Sequence, residues 1–191
     1  DKTASKKRVD EMRKAGLIVG GYAFLRPKPG RSGAQEFDIM YKKGLEIGLW
    51  QRDGQRVRDL RPVLDCEATA FDTNTIVGRY KTRVYIRDAI NRCIKVTGHR
   101  PIIYTGKWFW EDTINCKWSK ACPLWLASYP SKPDAYEVLP PAWVPKAWGG
   151  KADLWQYTDH HTAAGIKNPC DYNIYVGKDR SRRAFISTLT F

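Results

Sequence analysis

The sequence predicts a single α/β domain whose parallel strands are buried on both faces. Strand-length apolar runs alternate with helix-length amphipathic segments, and those runs read apolar on both sides. Of the 191 residues, 42% are hydrophobic and 13% aromatic, enough to build a full core. In chain order, Ala4–Ala15 reads as a charged helix stopped by Gly16, and Leu17–Leu25 (LIVGGYAFL) as a buried interior strand. Ala34–Ile47 reads as a second helix, with Phe37, Met40, Tyr41 and Leu45 on its apolar face before Gly48. The strand Pro62–Glu67 follows. From Thr75 to Val96, the recurrence of Ile76, Tyr80, Val84, Ala89, Cys93 and Val96 suits a long helix ended by Gly98. Pro101–Tyr104 and Pro123–Ala127 read as short strands. The proline-rich stretch from Ser131 to Pro145 is expected to be an ordered loop, because Tyr136, Val138, Leu139 and Trp143 give it packing groups. Asp153–Tyr157 and Asp171–Tyr175 read as the last strands, before a basic C-terminal helix or tail.

The most chemically pointed segment is Arg61-Pro62-Val63-Leu64-Asp65-Cys66-Glu67-Ala68, an apolar run ending in two carboxylates two positions apart. Side chains alternate along a strand with a rise of about 3.3 Å per residue, so Asp65 and Glu67 are expected on one face and Cys66 on the other. Two acids held that close repel, so one proton is retained near neutral pH, as general acid catalysis requires. The strand end is also where α/β folds gather their chemistry.

An excess of 33 Lys and Arg over 20 Asp and Glu gives a net charge of +13, which favours polyanionic surroundings such as wall polymers, nucleic acid or an anionic membrane. The basic residues are scattered, with only short clusters at Lys6–Arg8 and Arg180–Arg183, so no specific nucleic-acid groove is expected. No run reaches the roughly 18 apolar residues of a membrane span, and no membrane insertion is expected. The five cysteines, 66, 93, 116, 122 and 170, lack paired metal-ligand spacing and read as mostly buried thiols, although Cys116 and Cys122 lie close enough in sequence to bridge. His99, His160 and His161 lack a third ligand at useful spacing, so neither a metal nor a cofactor is expected.

Six segments then bring a known family into view: GLIVGGYAFLRP (16–27), PVLDCEA (62–68), PIIYTGKWFW (101–110), PLWLASYP (123–130), ADLWQYTD (152–159) and CDYNIYVG (170–177). In this order they resemble the family 25 glycoside hydrolases, the N-acetylmuramidases of phage and bacteria. The resemblance implies a flattened TIM-like β/α barrel that holds peptidoglycan in an acidic groove and cuts the β-1,4 bond between N-acetylmuramic acid and N-acetylglucosamine. It makes Glu67 the proton donor, Asp65 its partner and Asp171 a further acid of the site. Configuration would be retained, with a carboxylate or the substrate's own N-acetyl group attacking C1. Tyr22, Arg26, Tyr104, Trp125, Tyr129, Trp155 and Gln156 follow strand ends in the matching motifs and are the expected substrate-binding residues. There, aromatics can stack on sugars and hydroxyls can bond an N-acetyl carbonyl. Trp108, Phe109 and Trp110 read instead as helix-packing residues.

The family pattern begins with an Asp-bearing strand and a second strand, whereas residue 1 falls in what reads as the following helix. Residues 1–191 are therefore expected to form a single, N-terminally incomplete catalytic domain lacking the first two strands. An N-terminal segment or another chain would supply these beside residues 17–25. The place of action would be the bacterial cell wall, as a phage lysin, a virion component or a secreted bacterial enzyme. The competing expectation is a wall-binding or structural virion module that has lost catalysis.

Overall fold

The computed structural model describes residues 2–50, 58–68, 71–130 and 139–191. It is an α/β half-barrel, with six strands forming one open sheet in chain order: β1 (Tyr22–Phe24), β2 (Val63–Asp65), β3 (Ile102–Gly106), β4 (Leu124–Ala127), β5 (Leu154–His161) and β6 (Cys170–Tyr175). The first five are parallel; the last pair is antiparallel, with register breaks between Gln156 and Thr158 and between Thr158 and His161. The wholly parallel expectation therefore fails at β6, because the short link from β5 allows a hairpin return and not a crossover.

The α-helices are α1 (Lys2–Lys14), α2 (Gly33–Glu46), α3 (Ile76–Thr97), the one-turn α4 (Lys107–Phe109) and α5 (Arg182–Leu189), with a π-helical turn at Trp110–Ile114 and short 3-10 turns at Lys117–Ala121, Pro141–Trp143 and Lys146–Trp148. Local chemistry sets their ends. Ser32 and Gln35 form a reciprocal capping box at the start of α2. Thr75 accepts from the Gly78 amide to open α3, which Gly98 closes in the left-handed conformation at φ 74°.

The side of the sheet covered by α2 and α3 is a continuous apolar core. Leu64, Cys66, Ile103, Leu124 and Leu126 meet Phe37 of α2 and Ile86, Ala89, Ile90 and Cys93 of α3. The opposite, groove face carries a smaller cluster of Val63, Ile102 and Leu154 closed by Leu189 and Phe185 of α5. The chain end is pinned there by Arg61 N–H donating to the Leu189 carbonyl at 2.9 Å and by a bridge between Leu60 and Thr190. The strands' N-terminal ends are thus sealed on this face. Their C-terminal ends stay open for a site.

Two sequence expectations are corrected. Only Tyr22–Phe24 of LIVGGYAFL is strand, and it forms the sheet edge, with one partner among the described residues. The stretch 17–21 lies outside the strand, with Leu17 and Tyr22 exposed. On α3 the buried stripe is Thr82, Tyr85, Ile86, Ala89, Ile90, Cys93 and Thr97, while Ile76 and Tyr80 face solvent. The expected apolar series mixed two faces of the helix, sharing only Ala89 and Cys93 with the true one. Finally, Tyr136 and Val138 lie outside the described residues, whereas Leu139 packs against the main core. All five cysteines are free thiols, so Cys116 and Cys122 are not bridged.

Candidate active site

Asp65 ends β2, in register with Phe24 on one side and Tyr104 on the other, and Tyr104 is in register with Trp125. Residues in register point to the same face, so the strands deliver Asp65, Tyr104 and Trp125 together to the groove face. Cys66 points to the opposite face, where it is fully buried in the helix-covered core. Asp65 is 9% exposed, and its buried Oδ1 has no hydrogen-bond partner among the described residues. Burial first, and the Glu67 charge second, push its carboxyl up to about 7. Asp65 therefore holds its proton far above the ordinary carboxylate range. Glu67 is only partly buried and lines a cavity of about 740 Å³, where it can meet a ligand.

The strands beside this pair form a polar mesh. The Tyr104 hydroxyl donates to Gln156 Oε1 at 2.5 Å, and the Tyr129 hydroxyl donates to the same oxygen at 2.8 Å. Gln156 is 3% exposed, so this acceptor is fixed inside the sheet. Burial raises both phenols, which remain neutral hydrogen-bonding groups at any physiological pH. Tyr104 and Tyr129 also hydrogen-bond to each other, so the two hydroxyls and the Gln156 amide form one cluster at the groove wall. One strand further on, Trp125 Nε1 donates to Asn173 Oδ1 at 2.8 Å, which holds the indole edge-on to Tyr104 at 5.6 Å.

The expected site residues thus separate. Asp65, Glu67, Tyr104, Trp125, Tyr129 and Gln156 converge at the open strand ends. Asp171 is exposed on β6, near enough for its charge to act on Tyr129, as do those of Asp159 and Glu67. Arg26 lies over the Phe24 ring at 4.6 Å, on the rim beyond β1. Tyr22 is 69% exposed and in register with Val63, two residues below the acid, where it lines a separate cavity between β1 and α2. Trp155 is fully buried on the helix-covered face, with Nε1 donating to the Ser128 carbonyl at 2.7 Å, and it offers no ring face to a sugar. Among the described residues no group of three or more His, Cys, Asp or Glu could hold a metal ion. Asn173 was missed by sequence reasoning. The signal was available, since it stands two residues after Asp171 in CDYN, on the same face of a strand.

Carboxylates at the ends of parallel strands, facing a groove walled by aromatics and amides, define the class as a glycosidase-like β/α half-barrel. Residues 1–166 match the family described as Glycosyl hydrolases family 25, and the chain belongs to that family. Lysozyme M1 of Streptomyces globisporus is 29% identical over 175 residues, which are 85% of this chain and 51% of that protein. The chain thus spans about half the length of this curated relative. The solved muramidase from Trichobolus zukalii superposes with a TM-score of 0.68 at 30% identity, covering 96% of this chain and 78% of that one. The lysozyme from Streptomyces coelicolor shares the fold, with a TM-score of 0.73 at 24% identity over 96% of this chain and 77% of its own.

Proposed function

We propose that the protein is a peptidoglycan hydrolase that cleaves the β-1,4 bond between N-acetylmuramic acid and N-acetylglucosamine, with Glu67 as general acid and base. The observation that carries this reading is the asymmetric pair at the end of β2, with Asp65 buried and proton-retaining and Glu67 open to the cavity. Glu67, open to the cavity, gives a proton to the glycosidic oxygen as the bond breaks. Asp65 orients the N-acetyl group by hydrogen bonding while protonated, or stabilises positive charge growing at C1 once ionised. Asp171 adds negative potential at the rim. Trp125 and the Tyr104–Tyr129–Gln156 cluster shape the sugar-binding wall, and Arg26 extends it. No cofactor is required.

Reduction of digested, purified peptidoglycan with borohydride tests this. New ends recovered as reduced N-acetylmuramic acid are expected. Reduced N-acetylglucosamine would assign the other bond, and wall binding without any new ends would favour the non-catalytic wall-binding alternative.

A second reading concerns the partner of β1. Val63 N–H donates to the Gly21 carbonyl and Leu25 N–H to the Asp65 carbonyl, so Gly21 and Leu25 face β2. Alternation turns the backbone groups of Tyr22 and Phe24 to the outer edge, which has no strand partner among the described residues. Such an edge invites another strand, and we infer that it pairs with strands from an N-terminal segment or another chain. Hydrogen exchange in the active protein should find the Tyr22 and Phe24 amides slow. Exchange at unstructured-peptide rates would exclude the added strand.

A further inference from the structure

Resting on the glycosidase reading, we propose that the cavity beside Glu67 is a sugar subsite on the leaving-group side of the scissile bond, with Trp108 as the stacking platform for an acetamido-pyranose. The cavity's volume, about 740 Å³, is that of a small-molecule site. Its lining fixes which side of the bond it serves. Glu67 and Tyr104 contribute to it, whereas Asp65 does not. The proton donor must sit at the glycosidic oxygen, and the departing sugar lies beyond that oxygen, away from the carboxylate serving C1.

The sequence suggested that Trp108 packs a helix, like Phe109 and Trp110. Those two are buried, but Trp108 is 64% exposed on the cavity wall. A lone exposed tryptophan means little. This one is seated: its indole packs over the end of β3, with Nε1 at van der Waals distance (3.4 Å) from where a Gly106 Cβ would stand. Phe109 braces it edge-on at 6.2 Å.

The facing wall is tied to it. Lys107 Nζ donates to the Ala142 carbonyl, and Glu111 Oε1 accepts the Lys146 amide at 2.8 Å. These bonds clamp the turn carrying Trp143 across the cavity from Trp108, and Trp143 is itself packed edge-on to buried Trp155 at 5.9 Å. Trp108, Tyr129 and Trp143 surround the space, with Asp112 and Ser128 as partners for sugar hydroxyls. Apolar ring faces beside a few polar groups are what a pyranose requires, because its axial C–H bonds form an apolar patch ringed by hydroxyls.

The test compares two substrates that share one N-acetylated glycone. One is a β-1,4 oligosaccharide with a sugar leaving group; the other is the glycosyl fluoride, which places nothing in the proposed subsite. Trp108→Ala should lower kcat/KM on the oligosaccharide roughly tenfold more than on the fluoride, the size expected for one lost ring contact, and Trp108→Phe should restore most of the difference. Equal losses on both substrates, or no loss on either, would overturn the subsite while leaving the hydrolase reading intact. If the parent protein cleaves neither substrate, the hydrolase reading fails and the subsite fails with it.

Discussion

The two faces of the sheet use the same strands for opposite ends. On the helix-covered face, Leu64, Ile103, Leu124 and Leu126 are fully buried against α2 and α3. On the groove face, the next residues along these strands include Asp65, Tyr104 and Trp125, with Gln156 beside them on β5. A single step in sequence therefore separates residues that supply stability from residues that sacrifice some of it. Asp65 shows the sacrifice most clearly, because a carboxyl buried without a partner opposes folding whenever it is ionised.

Substitutions can break this contrast. The largest effect is expected from Leu64→Ala, which opens a cavity in the main core and should cost about 2–5 kcal/mol in denaturant unfolding, with activity per folded molecule preserved. Gln156→Leu, on the other face, removes the acceptor shared by two tyrosines. It should cost about 1–3 kcal/mol of stability and lower glycan release, since both hydroxyls lose their fixed direction. If Gln156→Leu altered melting but left turnover at the parental level, the groove face would have no separate role.

Asp65→Asn sharpens the comparison through pH. The Asp65 carboxyl is held near 7 in the fold, against an ordinary value of 3.8. Between those values the folded protein keeps a proton that the unfolded chain releases. The stability contributed by the protonated form is thus complete below about 3.8 and is lost as pH rises through about 7. The melting temperature of Asp65→Asn minus that of the parent should therefore rise from pH 4 to pH 7 and then level off. A difference independent of pH would contradict the buried-carboxyl explanation. The smallest expected effect concerns the net charge of +13. Rising salt should slow lysis of intact anionic walls more than cleavage of short soluble glycans, because attraction is screened beyond about 8 Å at physiological ionic strength. Equal salt responses would remove that role for the charge.

Much of this was legible in the sequence where local chemistry decides. Glycine stops and side-chain caps bounded α2 and α3 nearly to the residue, and the acid-bearing strand announced itself as an apolar run with two carboxylates. What stayed hidden depends on long-range pairing. LIVGGYAFL reads as an interior strand from hydrophobicity alone, yet its place at the sheet edge is set by which strands lie beside it. Trp155 and Trp108 make the same point as a pair. Both follow groove-like motifs in sequence, but a strand's register turns Trp155 into the core, while Trp108, on the one-turn helix after β3, stays 64% exposed. The proton's location was also hidden: spacing predicts that one of two acids keeps it, and only burial selects Asp65.

The most direct test is the rate at which Glu67→Gln releases soluble glycan from purified peptidoglycan, read beside its melting curve. Glu67 sits partly buried on the cavity wall, and the isosteric amide preserves its packing while removing the transferable proton. Release should fall by about 10² to 10⁴ with the melting temperature essentially unchanged. Release at the parental rate by a folded Glu67→Gln protein would contradict the assignment of Glu67 as the proton donor.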